Sequence, residues 1–299
     1  MAAVPIHVAL SFDDKYWAPA YAVMRSICLT SIRRKDVVFH LCHTALEPGH
    51  AAVLNRITEE FGAIVVHYDP AGNAAFRELM TLLRTTDRFP PIVYTRLLLD
   101  QLVPVEVERI IYLDCDVMVC QPIEILYDTD MGGKPIAAAF DPFHLAITKG
   151  RDIRSRQTAI DTGNRYFNSG VLLIDRARYA ATDLPGKIRA MAESGMLGDV
   201  FFDQELLNLV FLNNWQPLSW RFNVLMPKSP HESMHPVILH YTGSRHPWNP
   251  FSGVAFHRLY RHVMTNEVYY TFLAERTPRW LQPIIAVARN VTMRRRVMK

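Results

Sequence analysis

The chain has 299 residues, 49% hydrophobic and 21% charged, which is the composition of an ordinary globular protein with apolar side chains enough for a sizeable core. Its formal charge of +4 is unevenly placed: a slightly acidic body precedes a tail that holds Arg276, Arg279, Arg289, Arg294, Arg295, Arg296 and Lys299 and no acid after Glu275. Cys28, Cys42, Cys115 and Cys120 show no C-x-x-C spacing, so a zinc knuckle and a disulfide scaffold are excluded and a reducing compartment is suggested.

Met1 to Ile6 lack a basic n-region and a cleavage site, and no stretch reaches the roughly 18 uninterrupted apolar residues that a spanning helix needs. A cytoplasmic protein is expected, in which the sequon Asn290-Val291-Thr292 has no meaning. Ile6 to Phe12 reads as a strand that meets Asp13-Asp14, and Tyr16 to Ile32 has apolar residues at helical spacing before the cations Arg33, Arg34 and Lys35. Val37 to Leu41 and Ile64 to Tyr68 are strand-like, with a helical stretch, Glu47 to Phe61, between them. This alternation predicts an α/β fold with an open, mostly parallel sheet and helices on both faces. Helices are further expected over Ala74 to Arg84 and, after Pro90-Pro91, over Tyr94 to Leu102.

The next strand, Arg109 to Leu113, ends in Asp114-Cys115-Asp116. Residues two apart in a strand share a side, so the two carboxylates would project together and repel unless a cation lay between them. Oxygen ligands of this kind suit Mg²⁺ or Mn²⁺, which commonly hold substrate phosphates as well. The plainer reading is a solvated loop or a helix cap. Position favours the metal, because ligands of open α/β sheets bind beyond the carboxyl ends of the strands, where Asp13-Asp14 also lie. Neither G-x-G-x-x-G after the first strand nor G-x-x-x-x-G-K-[ST] occurs, so a nucleotide bound here needs a metal in place of a glycine-rich cradle.

Ile136 to Phe140 reads as another buried strand, ending at Asp141, and the polar segment His144 to Asn164 as a surface excursion. Asn168 precedes the apolar run Val171 to Ile174, placed either to offer its amide to something polar or to serve a turn, with Gly170 allowing close approach. Asp203 reads first as the cap of a helix that runs on through Gln204 and Glu205. His240 sits at the end of the short strand Pro236 to Tyr241, before a turn at Gly243, where a ligand could be presented. His231-Glu232-Ser233-Met234-His235 matches H-E-x-x-H formally, but Pro230 and Pro236 bracket it, and a residue before proline is pushed away from helical geometry. It reads as an exposed loop.

Together, Val8 to Tyr16, Tyr94-Thr95-Arg96-Leu97, Tyr112 to Asp116, Phe167 to Ile174, Asp203 to Asn208 and His240 to Trp248 resemble the successive motifs of the family 8 glycosyltransferases. This is a retaining, GT-A-type group that includes bacterial lipopolysaccharide galactosyl- and glucosyltransferases. The resemblance covers roughly residues 6 to 250. It implies that Asp114, Asp116 and His240 hold Mn²⁺ (or Mg²⁺) on the diphosphate of a UDP-sugar, while Ser11, Asp13 and Lys15 seat the nucleoside. It places Arg96, Asp141, Asn168, Asp203 and Gln204 around the donor sugar, with Gln204 nearest the anomeric carbon on the face away from UDP. The implied reaction moves galactose or glucose from UDP-galactose or UDP-glucose to a saccharide or lipid-linked acceptor, as in lipopolysaccharide or another surface glycan.

The family usually reads G-x-x-K-P-W, whereas this chain has Gly243-Ser244-Arg245-His246-Pro247-Trp248, so Arg245 or His246 has to replace the lysine. Lys15 also stands where asparagine is usual. Two alternatives of another kind are a non-catalytic sugar-nucleotide-binding protein and a self-glucosylating one. The expected organisation is a GT-A-type domain over residues 1–275 and a basic amphipathic tail over 276–299. Trp280, Ile284, Ile285, Val287, Val291 and Met293 are mixed with arginines there, as in a peripheral segment on the anionic inner face of a membrane. A merely solvated helix is the plain reading, and no nucleic-acid recognition motif accompanies the charge.

Overall fold

A computed structural model describes residues 4–87, 90–143, 166–199 and 202–278, together with residues 281, 282, 285 and 287. β1 (Ile6–Phe12), β2 (Val37–His43) and β3 (Ile64–Tyr68) are parallel neighbours joined by the helices Trp17–Thr30 and Pro48–Phe61. Pro48 opens the second helix where its missing N–H loses no bond. Gly62 closes it at φ 74°, donating its N–H to the Thr58 carbonyl at 2.9 Å.

Next in the chain come β4 (Arg109–Leu113), β5 (Val117–Val119), β6 (Ile136–Phe140) and β7 (Phe167–Asp175). β8 (Gln216–Leu218), β9 (Val224–Leu225) and β10 (Ile238–His240) complete the strands. The main sheet has the order β3-β2-β1-β4-β7-β6-β8, with β7 antiparallel to both β4 and β6. A second sheet, β5-β10-β9, stands apart from it. The expected mixed, mostly parallel sheet between helices is therefore present.

Strand alternation divides the core into two layers. Val8, Leu10 and Phe12 of β1 pack with Trp17, Tyr21 and Met24 of the first helix. Ala9 faces the opposite layer, with Tyr94, Leu97, Leu206 and Leu207. The helices His257–Met264 and Asn266–Arg276 lie against the first layer. Arg25 donates to the Val263 carbonyl at 3.0 Å and Trp17 Nε1 to Glu275 at 3.1 Å, tying the end of this region to the first helix.

Several expectations need correction. Tyr94 to Leu102 is not one α-helix: a 3₁₀ stretch, Pro91–Leu98, precedes a single α-turn, Leu99–Leu102. Tyr94 through Leu98 are buried consecutively, some side chains packing in the core and Arg96 entering the site, which an amphipathic α-helix with one exposed face does not permit. β5, β8 and β9 were not anticipated, nor the helices Arg176–Ala180, Leu184–Glu193, His257–Met264 and Asn266–Arg276. His231 to His235 falls in and just after the 3₁₀ stretch Ser229–Met234 at the surface, as expected of a loop. The excursion at residues 144–164 and nearly all of the basic tail lie outside the described residues.

One buried histidine couples this sheet to pH. His40 on β2 lies 2.9 Å from His7 of β1 and 2.9 Å from the Tyr68 hydroxyl of β3. Burial, and then His7 beside it, push its pKa down to about 4. The unfolded chain therefore takes the proton first, so this contribution to stability is complete above about pH 6.5 and is lost as pH falls toward 4. Urea unfolding at about pH 7 and about pH 4.5 should show His40→Gln losing about 2 kcal/mol less than wild type on acidification.

Candidate active site

Asp114 and Asp116 lie in the turn between β4 and β5, just beyond the strand end where they were expected. Two pairings bring other residues to them. β7 lies antiparallel to β4, and Asp114 N–H donates to the Gly170 carbonyl at 2.8 Å. β10 lies antiparallel to β5, which sets His240 opposite Val117, while Tyr241 N–H donates to the Asp116 carbonyl at 2.9 Å.

His240 Nε2 is consequently 3.0 Å from Asp116 Oδ1 and 3.9 Å from Asp114 Oδ2. One ligand atom from each of the three residues lies within 4.8 Å of the others, the only such group among the described residues. Burial opposes a charge on His240, but Asp116 and Asp114 outweigh it and raise its pKa. The opposite balance lowers that of Asp116, where the His240 charge overcomes desolvation. Each group thus favours the charged form of the other, and two carboxylates with one imidazole fit a divalent ion. Gly170 leaves the room: a Cβ there would lie 2.3 Å from His240 Cε1 and 2.6 Å from Asp114 Oδ2.

On the other side of Asp114 is Arg96, delivered by the 3₁₀ stretch. Its Nη2 is 2.6 Å from Asp114 Oδ1, its Nε 3.0 Å from Asp203 Oδ2, and its Nη1 donates to the Ser169 carbonyl and hydroxyl, both at 3.0 Å. The Tyr112 hydroxyl also donates to Asp114 Oδ1, at 3.0 Å, and the Tyr112 ring lies 4.5 Å from the Arg96 guanidinium carbon. Burial raises the pKa of Asp203, against the pull of Arg96. Asp203 stands in the first turn of the helix Phe202–Val210, with its carboxylate on Arg96.

Asp141, Asn168 and Gln204 converge. Gln204 Oε1 accepts from Ser169 N–H at 3.1 Å and from Asn168 Nδ2 at 3.1 Å, and Gln204 Nε2 donates to Asp141 Oδ2 at 3.1 Å. Asn168 Nδ2 also approaches Asp141 Oδ2, at 3.2 Å. These contacts join the residues expected around a donor sugar to one another and, through Ser169 and Arg96, to Asp114.

The residues expected at the nucleotide form a looser border. Ser11 near the end of β1 accepts from Thr95, and Asp13 accepts from the N–H of Lys15, whose side chain is exposed. Gly243, at φ 96°, begins the turn that carries exposed Arg245 and half-buried His246. His246 stacks on Trp248 with ring centroids 4.4 Å apart, and Trp248 meets the edge of Tyr16 at 6.0 Å, so this turn abuts the segment that follows Asp13. Burial lowers the His246 pKa. Of the two candidates for the missing lysine, Arg245 is therefore the permanent cation.

Sequence reasoning missed Asn223. It is buried between Asn168 and His240 and bonds both, yet it stands in Trp220-Arg221-Phe222-Asn223 with no spacing or composition to mark it. Tyr112 was read as a strand residue at the head of the Asp114 motif, with no role of its own.

A mixed sheet with an aspartate pair, a histidine and an amide cluster at its strand ends is the arrangement of a GT-A-type glycosyltransferase. The chain belongs to glycosyl transferase family 8, whose family model matches residues 7–251. It is 23% identical over 278 residues to general stress protein A of Bacillus subtilis, covering 87% of this chain and 93% of that protein. It is 23% identical over 256 residues to glycosyltransferase GlyF of Streptococcus pneumoniae, covering 82% of this chain but only 58% of that one. Its fold is similar to that of the galactosyltransferase LgtC, solved in complex with donor and acceptor sugar analogues. The TM-score is 0.70 at 19% identity, over 87% of this chain and 95% of that one.

Gly170→Ala tests the packing directly, because the added methyl must displace His240 or Asp114. Titration with Mn²⁺, followed by electron paramagnetic resonance of the free ion, should show affinity reduced about 100-fold, with far-ultraviolet circular dichroism unchanged.

Proposed function

We propose that this protein is a divalent-metal-dependent retaining hexosyltransferase. In this reading it moves galactose or glucose from a UDP-sugar to a saccharide or lipid-linked acceptor, as in lipopolysaccharide or another surface glycan. The observation that carries the reading is the proximity of Asp114, Asp116 and His240 to the Gln204 cluster, with Arg96 and Ser169 between them.

Asp114, Asp116 and His240 would hold Mn²⁺ or Mg²⁺. The bound ion supplies Lewis-acid neutralisation of charge developing on the leaving diphosphate. Arg245, in the turn after His240, adds a permanent positive charge, while His246, whose pKa burial lowers, is suited to hydrogen bonding. Ser11, Asp13 and Lys15 border the nucleoside, and Arg96, Asp141, Asn168 and Asp203 surround the sugar.

The bonding of Gln204 bears on how configuration is retained. An amide oxygen is a feeble nucleophile, and this one already accepts from Ser169 N–H and Asn168 Nδ2. The Tyr166 hydroxyl also bonds Gln204. Asp203 is buried on Arg96, which leaves its carboxylate poorly placed for attack. Gln204 therefore acts through its dipole, stabilising positive charge at the anomeric carbon, while the acceptor attacks on the face that UDP leaves.

In this reading the enzyme is cytoplasmic, and the mixture of arginines and apolar residues over 276–299 supports a peripheral position on the inner face of the membrane. None of the described helices is long and apolar enough to cross a membrane. Vesicles rich in anionic lipid should bind the full chain, with binding weakened by salt and lost on truncation after Glu275. Equal binding by the truncated chain would refute the role of the tail.

Activity is tested by UDP release across a panel of UDP-sugars, with Mn²⁺ present or chelated. Release is expected with UDP-galactose or UDP-glucose only when the ion is present, and Asp116→Asn should reduce it about 100-fold or more. Metal-independent release, or a product of inverted anomeric configuration by nuclear magnetic resonance, would overturn the reading.

A further inference from the structure

Asn223 lies between the 3₁₀ turn Trp220–Phe222 and β9, is 3% exposed, and touches both halves of the site. Its Nδ2 lies 2.8 Å from Asn168 Oδ1, and its Oδ1 lies 2.9 Å from His240 Nδ1. We propose that Asn223 is a positioning residue that selects the tautomer of His240 and joins the metal-ligand cluster to the Gln204 amide. The proposal rests on reading Asp114, Asp116 and His240 as metal ligands.

The orientation of every amide in this chain of contacts follows from two backbone groups that can only donate. Gly170 N–H is 3.0 Å from one terminal atom of Asn168, so that atom is the oxygen. Ser169 N–H is 3.1 Å from one terminal atom of Gln204, which is likewise the oxygen. Because Asn168 Oδ1 has no hydrogen to give, the Asn223 atom facing it must be Nδ2. That turns Asn223 Oδ1 toward His240, whose Nδ1 must then carry a proton.

A neutral ring protonated on Nδ1 keeps its lone pair on Nε2, the nitrogen turned toward Asp116 and Asp114. The other tautomer would aim an N–H at the place of the cation. Backbone donors on β7 thus dictate, through two asparagines, which nitrogen of a histidine on β10 can serve as a ligand. No simple replacement for Asn223 does both tasks: aspartate accepts from His240 but cannot donate to Asn168, and leucine does neither.

The test uses the full-length protein labelled with ¹⁵N-histidine, with the His240 resonances assigned by their loss in His240→Gln. Long-range ¹H–¹⁵N spectra, recorded at a pH where the ring is neutral, should show His240 protonated on Nδ1 and bare on Nε2 in wild type and in Asn223→Asp, and this state lost or mixed in Asn223→Leu. Mn²⁺ titration should show affinity reduced about 10- to 100-fold in Asn223→Leu and within about threefold of wild type in Asn223→Asp. Asn223→Asp should nevertheless lose about tenfold in kcat for the UDP-sugar, because Asn168 and with it Gln204 lose their anchor.

Unchanged Nδ1 protonation and unchanged Mn²⁺ affinity in Asn223→Leu would overturn the assignment. So would Asn223→Asp losing Mn²⁺ as completely as Asn223→Leu, with both variants folded by circular dichroism. If wild type shows the Nδ1–H tautomer and the variants behave as expected but no UDP-sugar is turned over, the Asn223 assignment stands and only the transfer reading falls.

Discussion

The pairing of β10 with β5 is the constraint on which the site depends. Asp114 and Asp116 are close in sequence and carry like charge, so their proximity is unfavourable without a positive group nearby. The antiparallel ladder sets His240 opposite Val117, one residue beyond Asp116, and backbone hydrogen bonds on both sides of the turn hold it there. The imidazole is buried and has little freedom to swing away. Without that small sheet, the two carboxylates would be an ordinary acidic turn.

A second requirement follows from burial. Arg96, Asp203, Asn168, Asn223 and His240 are all removed from water, and an unpaired polar group in that position costs on the order of 1–3 kcal/mol. Each is satisfied by another member of the site or by backbone at β7. Arg96 lies against two carboxylates, and the asparagines link the histidine to Gln204. Bonding of this density restricts rotamers and amide orientations, which is the preorganisation that charge stabilisation at a reacting carbon needs. The absent side chain of Gly170 contributes as much as those present, because it lets β7 pass within contact distance of both Asp114 and His240.

Much of the fold could be read from local pattern. Alternation and helical spacing marked β1 to β4, the two long helices between them and the buried runs at β6 and β7. What escaped was either too short to have a period, as in β5, β8 and β9, or buried at successive residues, as in Tyr94 to Leu98. The direction of β7 was also out of reach, because a continuous apolar strand looks the same whichever way it runs. In the site, Asp114 and Asp116 could be recognised because an apolar strand ends on them. His240 stood out as a strand-end histidine before a glycine turn, whereas Arg96 and Gln204 became candidates through family resemblance, since they are spread along the chain. Asn223 had no mark of either kind. Its importance comes from having an acceptor on one side and a donor on the other, and both neighbours are distant in sequence.

Local chemistry therefore determined the class of fold, the acidic pair, the absence of a glycine-rich phosphate loop and the basic character of the tail. These depend on neighbours within a strand, a turn or a helix. Only the tertiary structure decided how His240 is held against the two carboxylates, that Arg96 spans Asp114 and Asp203, and how the amides are turned. Those outcomes depend on strand pairings between distant segments. A hydrogen bond also has a direction, which residue identity alone leaves open until the fixed N–H groups of β7 take their places.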